Sequence, residues 1–461
     1  MKSLRIAVLA VLIPISSMVA SSASGQTYSV LYNFDDFHGA NPMWPGIMAQ
    51  GRDGSLYSTT YQGGPSNSGV IFKISTGGEL SLLYSFEGAE GSAPASGLML
   101  APDGTFYGTT SFGGNHNRGI IFRLAPEGSG TILYNFSGGH DGGEPYAPPI
   151  EGTDGSFYGA TAFGGFAAVY KITRSGEFTL LGTPPGPSTS PLLQGSGGSF
   201  YGTTVTGGNH KCDPISGCGT VFRMTRDGMV TGVHAFAGTD GAYPISPVIE
   251  GSDGNLYGTA VQGGSSLGGV VFKLSARGSL TILHNFRDAS CPNDGQYPIA
   301  GLIQASDGNF YGATSKGGKT DAGVIFEVGA DGSYSVLYDF DGGHGYGPVS
   351  NLIQHTNGKI YGMTNQGGTS NSGVVYSLDL GLPPFVALAR TWGRVGQAGG
   401  ILGQGFTGAT SVSLNGVPAP FKVVSDTYLT ATVPPGATSG YVTVTTPSGT
   451  LTSNKKFIVL P

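Results

Sequence analysis

Residues 298–340 read PIAGLIQASDGNFYGATSKGGKTDAGVIFEVGADGSYSVLYDF. Ile299 to Ala305 is a short apolar stretch with strand character. Asp307-Gly308 follows as a tight hairpin turn, because glycine tolerates positive φ and aspartate can bond its own backbone. Phe310 to Thr314 reads as a second strand, and Gly317 and Gly318 open a longer loop. Val324 to Val328 is a third strand, apolar nearly throughout. Asp331-Gly332 turns the chain again, and Ser335 to Phe340 makes a fourth strand. One such stretch is therefore a four-stranded antiparallel sheet.

The unit recurs along the chain. A Tyr-Gly or Tyr-Ser pair stands at Tyr57, Tyr107, Tyr158, Tyr201, Tyr257, Tyr311 and Tyr361. A Gly-Gly pair follows each at one fixed offset, from Gly63-Gly64 to Gly367-Gly368. An Asp-Gly or its equivalent precedes each, with Gly197 and Asn357 as variants. The spacing of roughly 50 residues is that of one propeller blade. Near-continuous apolar strands suit sheets covered on both faces, and a β-helix would show shorter repeats. Tyr28 to Phe34 matches a fourth strand, whereas the array ends at Val374 to Leu380 on a third. The first strand can thus complete the last sheet, close the ring and hide its edges. The expected fold is all-β: a seven-bladed β-propeller over residues 26–380.

The pattern "F…DG…P…GLIQ…DGNFYGATSKGG…GVIFEV…DG" resembles the Gloeobacter/Verrucomicrobium-type tandem repeat, GloVer, of "choice-of-anchor" exported proteins. The likeness spans about residues 28 to 380. It implies an exported, surface or secreted protein and brings no firm activity. Two places depart from it. Leu181 to Pro191 is a Pro-rich link, and the loop after Gly165 is short, so irregular blades are expected there. Residues 381–386 read as a stiff linker. Residues 387–461 show short strands separated by Asn415-Gly416, Pro434-Pro435-Gly436 and Pro447-Ser448-Gly449, as in a small immunoglobulin-like sandwich. The segments "GQGFTGATSVSLNGVPAPF" and "TATVPPGATSGYVTVTTPSG" resemble an IPT/TIG domain, which implies a spacer or contact module.

The first 25 residues read as a signal peptide: Lys2 and Arg5, an apolar run from Ile6 to Ala20, then small residues to Gly25. The run is short for a membrane span, and no later segment is long and apolar enough for one. The mature chain should start near Gly25 or Gln26, outside the cytoplasm. Charged residues make up 11% and the net charge is -6, with no Lys/Arg stripe, so nucleic acid is not an expected partner. Of the three cysteines, Cys212 and Cys218 bracket a short loop and are expected to pair in an oxidising compartment. A metal site there is the weaker alternative, since only His210 lies near; no metal or cofactor is expected.

Residues that recur in every blade should be structural, so function is sought where blades differ, on the face carrying the longer loops. The blade-to-blade loops offer His38, Trp44, His140, Asp141, Glu144, Tyr146, Asp240, Tyr243, Asp294, Tyr297, His344 and Tyr346. The Gly-Gly loops offer His116, Arg118, His210, Lys211 and Lys316. Trp44, His140, Tyr146, Tyr243, Tyr297, His344 and Tyr346 form the candidate ligand set, the tyrosines ringing the central opening. Aromatic faces with carboxylates suit a polysaccharide or another cell-surface component. The expected function is a non-catalytic binding module. The alternative is a secreted polysaccharide lyase or glycoside hydrolase using His140, His344, or Glu144 with Asp141 or Asp240. No nucleophile elbow, HExxH or P-loop is present in the sequence, and the expectation leans away from catalysis.

Overall fold

The computed structural model describes residues 25–43, 45–163, 166–288, 290–291 and 293–461. Residues 1–24, which carry the leader reading, and Trp44 lie outside these. Among the described residues every regular element is a β-strand.

Seven consecutive antiparallel sheets, units 1 to 7, run from Thr27 to Asp379. Unit 1 pairs Ala49–Gln50, Leu56–Thr60, Val70–Ile74 and Leu80–Ser85 in that order. Units 2 to 6 repeat it, with second strands Phe106–Thr110, Phe157–Ala160, Phe200–Thr204, Leu256–Ala260 and Phe310–Thr314. Unit 7 holds Ile353–Gln354, Ile360–Gln366 and Val374–Asp379. Thr27–Asn33 lies antiparallel to its last strand, Tyr28 opposite Leu378 and Tyr32 opposite Val375.

The first strand is shorter than the sequence suggests. Of Ile299 to Ala305, only Ile303–Gln304 pairs within its sheet. The preceding backbone bonds sideways instead. Ile299 O accepts from Ser246 Oγ, Ala300 O from Thr259 Oγ1 at 3.3 Å, and Gly301 N–H donates to Asn351 Oδ1 at 2.7 Å. These innermost residues therefore join units 5, 6 and 7, satisfying buried backbone groups across the boundary. The fourth strand of unit 6 is Tyr334–Asp339, one residue earlier than expected.

The recurring tyrosine has two tasks. Its ring packs on the next unit's phenylalanine: Tyr57 on Phe106, Tyr107 on Phe157, Tyr158 on Phe200 and Tyr257 on Phe310, centroids 4.0 to 4.3 Å apart. Its hydroxyl donates to the aspartate of its own turn, as Tyr257 does to Asp253 at 2.8 Å and Tyr311 to Asp307 at 2.6 Å. The glycine after the tyrosine clears room for an aromatic ring. A Cβ on Gly258 would lie 2.7 Å from Phe272 Cζ.

Phe72, Phe122, Phe222, Phe272 and Phe326 share one buried register, where units 3 and 7 carry Tyr170 and Tyr376. Those two hydroxyls are buried, and among the described residues neither has a hydrogen-bond partner. A buried unsatisfied hydroxyl costs about 1–3 kcal/mol. Tyr170→Phe and Tyr376→Phe should each raise unfolding free energy by about 1 kcal/mol in urea titrations, at unchanged m-value.

The C-terminal residues form a two-sheet sandwich. One sheet orders Ala387–Leu388, Ala398–Leu402, Tyr428–Thr432 and Phe421–Ser425. The other orders Val417–Pro418, Ser411–Leu414, Val442–Thr446 and Gly449–Thr452. Val386, Ile401, Phe406, Val412, Leu429 and Val444 fill the space between them. Phe385 and Val386, expected in the linker, are buried, so the joint is packed rather than a free spacer.

Candidate functional site

Strand alternation puts the Asp-Gly turns at one end of the sheets and the Gly-Gly loops at the other. The C-terminal sandwich is seated on the Asp-Gly end. Thr427 Oγ1 donates to Arg52 O at 2.7 Å, Gln404 Nε2 to Thr356 Oγ1 at 3.0 Å, and Phe385 N–H to Thr356 O at 3.1 Å. The Arg52 guanidinium lies 4.5 Å from the Tyr428 ring centroid. Glu151 and Glu250, of units 3 and 5, lie in electrostatic reach of Arg390 and Lys455. The same end carries a relay between units. Gln354 accepts from Ser306 N–H at 2.9 Å, Gln304 from Ser252 N–H at 2.9 Å, and Glu250 from Ser196 N–H at 2.7 Å. Gln50 of unit 1 makes this bond to Thr356 N–H of unit 7 at 3.1 Å.

At the Gly-Gly end, the loops of units 1, 2, 5, 6 and 7 are tied to the connector entering their own sheet. Gly64 N–H donates to Asp36 O at 2.8 Å, Gly264 to Gly238 O at 2.9 Å and Gly318 to Asp294 O at 2.9 Å. The two expected sets of loops therefore do meet.

Their side chains do not all converge. The residue before proline is left-handed in several units: Glu144 at φ 52°, Tyr243 at 57° and Tyr297 at 59°. Such backbone is costly for a residue with a side chain and is retained where the surroundings demand it. Here each amide donates to the preceding unit: Glu144 to Arg118 O, Tyr243 to Cys218 O, Tyr297 to Gly268 O, all at 2.8 Å. Tyr146 follows its proline, and Tyr346 stands two residues before Pro348. The four tyrosines thus occupy three register positions relative to their prolines. Tyr346 accepts from Lys316 Nζ, and Tyr243 bonds Asp213 in the loop closed by the Cys212–Cys218 disulfide.

The catalytic alternatives also separate. His344 Nδ1 pairs with Asp341 at 2.7 Å, as His38 does with Asp35 at 2.7 Å, each within its own connector. Glu144 pairs with Arg118 at 2.8 Å. Asp141 accepts from Tyr134 at 3.1 Å and from Ser137, and Asp240 holds His234 at 2.9 Å. Apart from Glu144, each of these carboxylates serves partners in its own stretch of chain. Asp294 is buried, accepting from Tyr334 at 2.8 Å and facing His284 at 3.2 Å.

One group is not local. Tyr61 of unit 1, Glu144 and Tyr146 of the connector into unit 3, and Arg118 of unit 2 share one electrostatic neighbourhood. Burial, then Tyr61 and Glu144 beside it, pushes the Tyr146 phenol up to about 12. Burial and then Glu144 raise Tyr61 likewise. Both phenols therefore keep their protons at neutral pH and can donate. Tyr146 meets Phe163 edge-on at 6.2 Å, and His140 stacks on Phe166 at 5.6 Å. Phe163 and Phe166 are exposed at 47% and 57%, an aromatic surface that a soluble face does not need. Tyr61 escaped the sequence reading. Its register holds Ser111, Ala162, Val205, Val261, Ser315 and Asn365 elsewhere, so being the lone aromatic there is the signal.

The molecule is a β-sheet repeat protein with a C-terminal sandwich and an aromatic, carboxylate-bearing loop face. The Gloeobacter/Verrucomicrobia repeat model matches residues 17–186, 127–293 and 289–405, and the chain belongs to that family. The IPT/TIG domain model matches residues 391–459. No curated protein matches the chain by sequence. Among solved structures it is similar to a Bacteroides uniformis protein provisionally assigned as a 6-phosphogluconolactonase, at 18% identity over 67% of this chain and 88% of that one, TM-score 0.45. It is also similar to the WD40 β-propeller domain of Doa1, at 10% identity over 77% and 97%, TM-score 0.45. At that distance their activities say nothing of this chain's. No helix of the described residues is long and apolar enough to cross a membrane.

Proposed function

We propose that this is an exported binding protein: a closed seven-bladed propeller that holds extracellular glycan at its Gly-Gly end and does no chemistry on it. The pairing of Thr27–Asn33 with unit 7 and the Gln50–Thr356 bond support closure. The observation that carries the binding reading is the grouping of Tyr61, Tyr146, Glu144 and Arg118 beside exposed Phe163 and Phe166. Aromatic faces stack on the apolar faces of sugars, while phenols, carboxylate and guanidinium bond hydroxyls. This end is opposite the seat of the sandwich, so the C-terminal domain leaves it open. Export rests on the leader reading of residues 1–25.

The test is a glycan array probed with residues 26–461, followed by assays of the retained saccharides for new reducing ends and unsaturated sugars. Retention without products is expected. Tyr146→Ala and Tyr61→Ala should each weaken binding about tenfold, and His344→Ala should leave it within twofold. New chain ends would replace this reading with an enzyme, and no retention of any saccharide would remove glycan as the ligand class.

A further inference from the structure

The repeat contains one vacancy that its own neighbours show how to fill. At one register of the fourth strand six units carry a larger side chain: Leu80, Phe178, Val230, Leu280 and Tyr334 at its first position, and Tyr28 at the second position of Thr27–Asn33. In unit 2 it is Gly130. The backbone does not require glycine there. Gly130 is outside the left-handed region, and a Cβ on it would meet nothing nearer than Leu124 Cδ1 at 3.6 Å.

What the large residue does elsewhere is visible. It stacks on the fifth residue of the preceding unit's fourth strand. Phe178 lies on Tyr134 at 4.1 Å, Tyr334 on His284 at 3.6 Å and Tyr28 on Tyr338 at 3.8 Å, with interplanar angles of 10°, 5° and 6°. Where that residue is tyrosine, its hydroxyl finds an acceptor in the adjoining connector: Asp294 Oδ1 at 2.8 Å for Tyr334, His344 O at 2.6 Å for Tyr28. Between units 1 and 2 the receiving half is intact and the ring is missing. Tyr84 presents its face, and Glu90 stands where Asp294 stands at the boundary of units 5 and 6, already accepting from Tyr84. The result is a cavity of about 160 Å³ lined by Tyr84, Phe86, Glu90, Phe122, Leu124 and Ile132. A cavity of about 150 Å³ with apolar walls is enough for a benzene ring.

We infer that this notch binds a small phenol. The ring takes the place of the missing side chain against Tyr84, and the hydroxyl donates to the Glu90 carboxylate. The walls are apolar on the blade side and carry one acceptor at the connector, which selects a phenol over plain toluene. The site shares no residue with the Tyr61, Tyr146, Glu144 and Arg118 group and is independent of the glycan reading.

Titration calorimetry of 4-methylphenol and of toluene into the full chain tests this. One site for 4-methylphenol is expected, with a Kd on the order of 0.1–1 mM. Gly130→Phe, the residue unit 3 carries, should abolish binding and raise Tm by a few degrees. Should that variant not fold, Gly130→Leu fills the same space with the residue of units 1 and 5. Glu90→Gln should weaken 4-methylphenol about tenfold and leave toluene within twofold. Binding that survives both fillings, or no binding to the unmodified chain at about 10 mM, would overturn the proposal and leave the notch a packing defect.

Discussion

Phe34→Ala is expected to lower unfolding free energy by about 3–5 kcal/mol, as much as any core phenylalanine of the middle units. Phe34 is fully buried although it lies near the start of the described chain. Its N–H donates to Gly373 O at 3.0 Å. Phe86 does the same to Gly69 O at 3.0 Å, Phe136 to Gly119 O at 3.0 Å and Phe340 to Gly323 O at 3.0 Å. Phe34 also meets Phe72 of unit 1 edge-on at 5.4 Å, as Phe86 meets Phe122 at 5.6 Å. If the N-terminal strand closes the ring, its loss opens both unit 7 and the boundary with unit 1. Urea unfolding of Phe34→Ala beside Phe86→Ala decides this. Equal losses are the expected result. A harmless Phe34→Ala beside a costly Phe86→Ala would mean the array is held together without its first strand.

The second large effect concerns His355, which is 1% exposed and bonds unit 7 to unit 1. Asn357 N–H donates to its Nδ1 at 3.1 Å, so Nε2 carries the proton and donates to Gly54 O of unit 1 at 2.9 Å. Burial holds this imidazole below its ordinary value, against the smaller pull of Gly54 O and Asn357. A second proton, on Nδ1, would face the Asn357 amide. The folded state therefore binds this proton less readily than the unfolded chain. Above the unfolded value of about 6.5 both states are neutral and pH changes nothing. Below it the unfolded chain takes up the proton first, and stability falls by up to about 1.4 kcal/mol per pH unit until the folded value is reached. Aspartates held down by their partners, such as Asp154 by Lys171 against its burial, lose their contribution only at lower pH, below about 4. His355→Gln should remove the slope that begins below about pH 6.5. It should also cost about 1–3 kcal/mol at pH 7.5, where a buried acceptor loses its donor. Identical pH profiles for the two proteins would show that His355 does not titrate in that window.

Much of the architecture is written locally. The Asp-Gly turns, the tyrosine second in each unit's second strand and the Gly-Gly pairs all recur because strand alternation and turn chemistry act over a few residues. The Pro-rich link after Leu181 was also legible: the fourth strand of unit 3 stops at Gly182. First-strand lengths were misread, because Ile299 to Gly301 bond to units 5 and 7 rather than within unit 6. The linker was misread for a similar reason. Pro383-Pro384 does look stiff, but burial of Phe385 and Val386 depends on Thr356 and on the sandwich core.

The candidate site divides the same way. His140, Glu144 and Tyr146 could be picked out as the residues by which one unit differs from another, since a repeat makes every exception visible. Their company could not. Tyr61 joins Glu144 only because the second-strand end of unit 1 comes within electrostatic reach of the connector into unit 3. Gly130 looks like one more glycine until Tyr84 of the preceding unit supplies the opposite wall. The sequence by itself determined the sheets, their order and which positions are buried, because those follow from periodicity within a unit. Only the tertiary structure decided which exceptions meet, because contacts between residues that depart from the repeat are set by the packing of whole sheets and, unlike the recurring tyrosine-phenylalanine pairs, leave no periodic trace in the chain.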